Sequence, residues 1–135
     1  MTMNRAAQFT YVLLRVVAGL LFLQSGGVKL FGWFGGMPDG VTAPVMSQIW
    51  IGAVLEVFGG LAIMLGLVTR LVAFVLSGEM AVAYFQFHQP GGTWPVENNG
   101  VPAVLFCFIF LYIAAQGGGD WSLDALLRRR RESAV

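Results

Sequence analysis

Long apolar runs dominate the chain, and charges or turn residues interrupt them at few places. Four runs stand out, at about 8–31, 49–69, 71–88 and 101–117. None alternates polar with apolar residues at a period of two, so a membrane β-barrel is not expected. A helix crossing ~30 Å of hydrocarbon needs roughly 20 residues. The first two runs are that long, and the other two reach it by borrowing from their flanks. The pattern predicts an all-α fold: a four-transmembrane-helix bundle of up-down topology, with residues 1–135 as a single integral membrane domain.

Turn chemistry places the connections. GGMPDGVTAPVMSQ at 35–48 and QPGGTWPVENNG at 89–100 read as two long loops on one side. Val68, Thr69 and Arg70 form the tight hairpin on the other side. Gly117, Gly118 and Gly119 close the fourth helix. Asp120 then reads as the N-cap of a short C-terminal surface helix, DWSLDALLRRRR, covering about 120–131. In it Asp124 stands four residues before Arg128, a favourable helical pairing.

Composition supports the membrane assignment. Of 135 residues, 57% are hydrophobic and 11% charged, against roughly 25% charged in a soluble domain. A net charge of +1 gives no basic field for nucleic acid. One cysteine excludes a disulfide framework. Positive charge sets the orientation. Arg5, Arg70 and the block Arg128, Arg129, Arg130 and Arg131 share a side, whereas the long loops carry Asp39 and Glu97 and no basic residue. Both termini, and the surface helix, are therefore expected in the cytoplasm. Trp33, Trp50 and Trp94 would mark the outer interface and Trp121 the inner one. The first run is not read as a cleaved signal, because Arg15 interrupts its core.

Ionisable groups inside a membrane need partners or water. Arg15 and Glu79 lie at similar depths, roughly 10 and 12 Å from the cytoplasmic end at 1.5 Å per residue. A structural Arg15–Glu79 ion pair is the economical expectation. Glu56 lies roughly 10 Å below the outer face, and Lys29, near the outer end of the first helix, either reaches it or snorkels outward. Arg15, Gly19, Phe22, Gly26, Lys29 and Trp33 form one seam, and Gly52, Glu56, Gly59, Ile63 and Gly66 another. Small residues let helices approach closely in lipid, so both stripes should face the bundle interior. On an ideal helix His88 points away from Glu79. It joins the outer pocket only if the third helix unwinds near Pro90. Lys29, Glu56 and His88 are the candidate ligand-binding residues, and such pairs can equally serve only to lock the bundle.

No catalytic constellation is evident. One histidine and one cysteine are too few to hold zinc or haem, and no CxxC, GxGxxG or Walker loop occurs. Cys107 sits in the apolar context VLFCFIF. Phe106, Phe108, Phe110 and Tyr112 crowd the fourth helix, and Tyr84, Phe85 and Phe87 the outer end of the third. Most read as lipid-facing or packing residues, and some could line a slot for a flat apolar ligand, a quinone being the candidate cofactor.

The segments LRVVAGLLFLQSGGVKLFGW, LEVFGGLAIMLGLVTR and GEMAVAYFQFHQPGGTWPVENNGVPAVLFCFIFLYIAAQGGGDWSLD together cover about 14–127. In these the chain resembles the DoxX family of small membrane proteins. The closing GDWSLD and the EMAVAYF run are the most specific pieces. The family's charged positions fall on Arg15, Lys29, Glu56, Glu79 and His88. The resemblance implies a four-helix protein of the bacterial or archaeal plasma (inner) membrane. It further implies association with quinone-linked oxidoreductases or with oxidative and thiol stress systems. This chain would then be a membrane subunit that works with a soluble redox protein or a second copy of itself. More distant relatives resemble assembly chaperones, which keeps a non-catalytic role open. Intramembrane carboxylates keep open a small proton-coupled transporter.

Overall fold

The computed structural model describes residues 3–135, so residues 1 and 2 of the expected 1–135 domain lie outside the described residues. Every regular element among the described residues is helical. Helix α1 spans Arg5–Phe31, α2 Gln48–Leu65 and α3 Thr69–Ala83. A π-helical turn, Tyr84–His88, and a 3₁₀ turn, Gln89–Gly91, carry α3 onward. The short α4 is Pro95–Asn98, α5 is Val101–Gln116 and α6 is Leu123–Ser133.

Local chemistry sets these bounds. The Asn4 side chain accepts from the Ala7 N–H and starts α1, and Gly32 ends it in the left-handed region at φ 72°. Ser47 caps α2 by accepting from the Trp50 N–H, and Gly66, also left-handed, ends it. Such termini satisfy backbone groups that a helix end otherwise leaves orphaned.

Helix α1 packs along α2 and α3 along α5, and the two pairs meet less closely. Glycine permits the first contact. A Cβ on Gly26 would fall 2.6 Å from the Ala53 carbonyl, and one on Gly60 2.6 Å from the Gly19 carbonyl. The α2 stripe turns to α3 instead: Gly59 faces Leu76, and Gly52 faces Glu79. Phe22, Ile63, Leu76, Phe110 and Ile113 close the core where the helices converge. Trp33, expected to extend the α1 seam, lies beyond the helix end and folds back on Gly27.

The exterior is apolar. Phe58, Leu65, Leu71, Phe74, Val82, Phe85, Leu105 and Phe108 are all more than half exposed, or, for Val82, Leu65 and Leu105, just over half. Such a surface is stable only against hydrocarbon or another apolar surface. Three segments, Arg5–Phe31, Gln48–Leu65 and Thr69–Gly91, are long and apolar enough to cross a membrane, and Val101–Gln116 is apolar and shorter.

At the end that holds the termini and the 66–69 hairpin, the C-terminal segment ties the helices together. Helix α3 has no side-chain cap of its own, and its N-cap residue Val68 is left-handed at φ 47°. Asp124 supplies the cap: its carboxylate accepts from the Val68 N–H at 2.7 Å, the Thr69 N–H at 2.9 Å and the Thr69 hydroxyl at 2.7 Å. Partial burial pushes this carboxyl up. The hydrogen bonds from Thr69 and Val68, with the Arg15 guanidinium, outweigh that and hold it below the usual carboxylate range.

Three expectations are corrected here. Arg15 does not pair with Glu79; its guanidinium donates to the Gly118 and Trp121 carbonyls of the returning loop. Equal depth is no guide to direction, and this loop brings carbonyls to Arg15 at the terminal end. Ser122, not Asp120, caps α6 by accepting from the Ala125 N–H, so the helix begins at Leu123. Asp124 serves α3 and makes no ion pair with Arg128.

Candidate functional site

Lys29 lies in the last turn of α1, and its carbonyl accepts from the Ala43 N–H of the following loop at 2.7 Å. Its ammonium donates to Glu56 Oε1 at 2.7 Å and Oε2 at 2.9 Å. This is the one ion pair among the described residues. The Glu56 side chain is 4% exposed and that of Lys29 30%, so the lysine stem runs inward from the rim to a buried carboxylate.

Glu79 arrives from α3. Its Oε1 lies over Gly52, one helical turn before Glu56, where a Cβ would stand 3.0 Å away. Its Oε2 is buried with no hydrogen-bond partner. The charged groups nearest this carboxyl are Glu56 and Lys29.

The π turn changes where His88 points. The Gln89 N–H bonds back to the Tyr84 carbonyl, five residues earlier, so the helix is under-wound here. His88 therefore lines the same cavity as Lys29, Glu56 and Glu79, which an ideal helix would have prevented. Its Nδ1 stands 3.1 Å from the Asn98 carbonyl; a carbonyl only accepts, so that nitrogen donates.

Sequence reasoning missed the residues that hold this end in place. Buried Asn98 donates to the Gly92 carbonyl at 3.0 Å and the Tyr84 hydroxyl at 3.3 Å, and accepts from the Gly100 N–H at 2.9 Å. The Asn-Asn-Gly string was the available signal. Gln48 and Gln86 exchange amide hydrogen bonds across the rim and join the start of α2 to the π turn.

The cavity between the helix pairs has a volume of about 710 Å³. Leu21 and Phe22 of α1, Ile51 and Leu55 of α2, Val75 and Met80 of α3, and Phe106 of α5 wall it. Ile51, Leu55 and Val75 are also exposed on the apolar exterior, so the cavity opens sideways between α2 and α3. The size and the few convergent polar groups suit a small amphipathic molecule. A second cavity of about 590 Å³ lies at the terminal end, against Gln8, Arg70, Asp120 and Arg128. Among the described residues no cluster of three metal-ligating side chains occurs.

An all-helical chain with an apolar exterior and an ion pair buried between its helices is an integral membrane protein. The family model for DoxX matches residues 10–89. An uncharacterised protein of Haemophilus influenzae is 36% identical over 114 residues, 82% of this chain and 85% of that protein. The inner membrane protein YqjF of Escherichia coli is 29% identical over 130 residues, 86% and 90% of the two chains. The chain belongs to the DoxX family. No solved structure matches it.

Proposed function

We propose that the chain is a four-helix, up-down protein of the inner membrane, with both termini and α6 in the cytoplasm. It binds a small amphipathic ligand of the quinone class in its outer-half cavity. One observation carries the reading: a largely apolar cavity of about 710 Å³, with Ser25 and Gln48 also on its wall, receives Lys29, Glu56, Glu79 and His88 together. The residues present suit such a ring. Phe22 and Phe106 offer apolar faces, and the Lys29 ammonium offers a donor for a ring oxygen. When bound, a quinone supplies electron-carrying chemistry, exchanged with a soluble redox protein or another subunit of a thiol or oxidative-stress system. The chain's own residues bind and orient: the apolar walls exclude water, Glu56 holds the Lys29 ammonium in place, and the Asn98 network fixes His88 at the rim.

The test is equilibrium binding of a short-tailed quinone to the purified chain in detergent, read by tryptophan quenching. Glu56→Gln is expected to weaken binding at least tenfold while thermal stability stays close to wild type. Undiminished binding in that variant, or none in the wild type, removes the reading.

A further inference from the structure

Lys29, Glu56 and Glu79 bring one cation and two carboxyl groups into one apolar site. Lys29 donates to both oxygens of Glu56, which marks Glu56 as the ionised member. Glu79 shares the cavity with that carboxylate: its Oε1 lies over Gly52, one turn before Glu56, and its Oε2 is buried with no donor. Two adjacent carboxylates beside one lysine would leave a negative charge uncompensated where water is scarce. Carboxyl pairs in that position resolve the conflict by sharing a proton. Among the described residues no other charge intervenes on the cavity wall. The groups facing the pair are Lys29 from α1 and His88 from the π turn, while α5 brings Pro102, Ala103 and Phe106.

Access for water is one-sided, because the sideways opening between α2 and α3 gives onto the apolar exterior. The cavity reaches the end that holds the two long loops, at Met37, Pro38, Gln48 and His88. Toward the terminal end Phe22, Ile63, Leu76, Phe110 and Ile113 are packed shut, none more than 4% exposed. Close-packed side chains of this kind leave no room for a water chain.

We propose that Glu56 and Glu79 hold one proton between them, carried by Glu79 and donated to Glu56, as a proton-binding site of the ligand cavity served from the loop end alone. It deepens the cavity reading above, but the proton can be read without any ligand.

Infrared spectroscopy of the full chain in lipid nanodiscs at neutral pH tests this. The wild type is expected to show a protonated carboxylic C=O band that shifts in D₂O, and Glu79→Gln removes it. Glu56→Gln also removes it, because Lys29 then pairs with Glu79, which ionises. Lys29→Met strengthens the band, since both carboxyls then hold protons. Glu79→Asp keeps a band at a displaced frequency, which separates loss of the proton from loss of the fold. In proteoliposomes of one orientation, a pH jump on the loop side titrates the band and a jump on the terminal side leaves it. No band in the wild type, a band untouched by Glu79→Gln, or an equal response from both sides overturns the proposal. Loss of quinone binding with the band and its sidedness intact removes the ligand reading and upholds this one.

Discussion

The Lys29 ammonium lies 2.7 and 2.9 Å from the two oxygens of Glu56, so one flexible side chain neutralises a carboxylate that is itself almost wholly buried. The two partners are not equivalent. Without Lys29, Glu56 loses its cation in a place with little water. Without the Glu56 charge, Lys29 still has the Glu79 carboxyl within the same cavity as a partner.

We therefore expect Lys29→Met to lower stability by about 3 kcal/mol, the lower end for breaking a buried pair. Glu56→Gln should stay within about 1 kcal/mol of wild type. Thermal unfolding in detergent reads both, and equal losses would show that Glu79 does not take over the lysine.

Arg15 and Glu79 serve different ends of the molecule, one bonded to the returning C-terminal loop and the other over Gly52. Their effects should be independent. In a double-mutant cycle, the losses of Arg15→Ala and Glu79→Ala should add within about 0.5 kcal/mol. A coupling well beyond that would restore a direct interaction.

Asp124→Ala removes the N-cap of α3 and the docking of α6 at once, and should cost about 1–2 kcal/mol. The same group gives a pH dependence. Its folded pKa lies below its unfolded value, so its contribution is complete above the unfolded value, about 3.9. It is lost as pH falls through the lower folded value. The protection factors of the Val68 and Thr69 amides, taken relative to intrinsic exchange at each pH, should fall on acidification in the wild type. In Asp124→Asn the protection should be low already and change little in that range.

Gly26 and Gly78 make a controlled contrast. A methyl on Gly26 meets the Ala53 carbonyl and the Val57 amide, whereas one on Gly78 meets nothing within 4 Å. Gly26→Ala should destabilise by about 1–3 kcal/mol, the range for overpacking. Gly78→Ala should be neutral or stabilising, by up to about 1 kcal/mol. Melting temperatures of the two variants decide it.

Reporter fusions at the C-terminus and in the 35–48 loop address topology. A reporter that works only in the cytoplasm should be active at the C-terminus and silent in the loop. The reverse pattern would invert the assignment drawn from Arg5, Arg70 and the four-arginine block.

Much of this was legible in the sequence because lipid simplifies the code. Glycines spaced by three and four around Arg15 and Lys29 mark a face for close approach, and Gly19 and Gly26 do meet α2. For Lys29 the sequence left two outcomes open, reaching inward to Glu56 or snorkelling outward, and the structure has the inward one. Depth failed for Arg15, since position along a helix says nothing of azimuth or of backbone carbonyls delivered by a distant loop. His88 was misdirected by the assumption of 100° per residue, which the π turn at Tyr84–His88 breaks. The role of Asp124 had no local signal, because the helix it caps begins 55 residues before it.

That cap carries a consequence for the order of assembly. Chains are made and inserted from the N-terminus, so Val68 and Thr69 reach the membrane surface long before Asp124 has been synthesised. Through that interval the first turn of α3 has exposed N–H groups and only water to satisfy them. The hairpin between α2 and α3 is thus finished by a segment made 55 residues after it. A chain stopped before Ser122 would insert its apolar helices and still lack the latch that closes them.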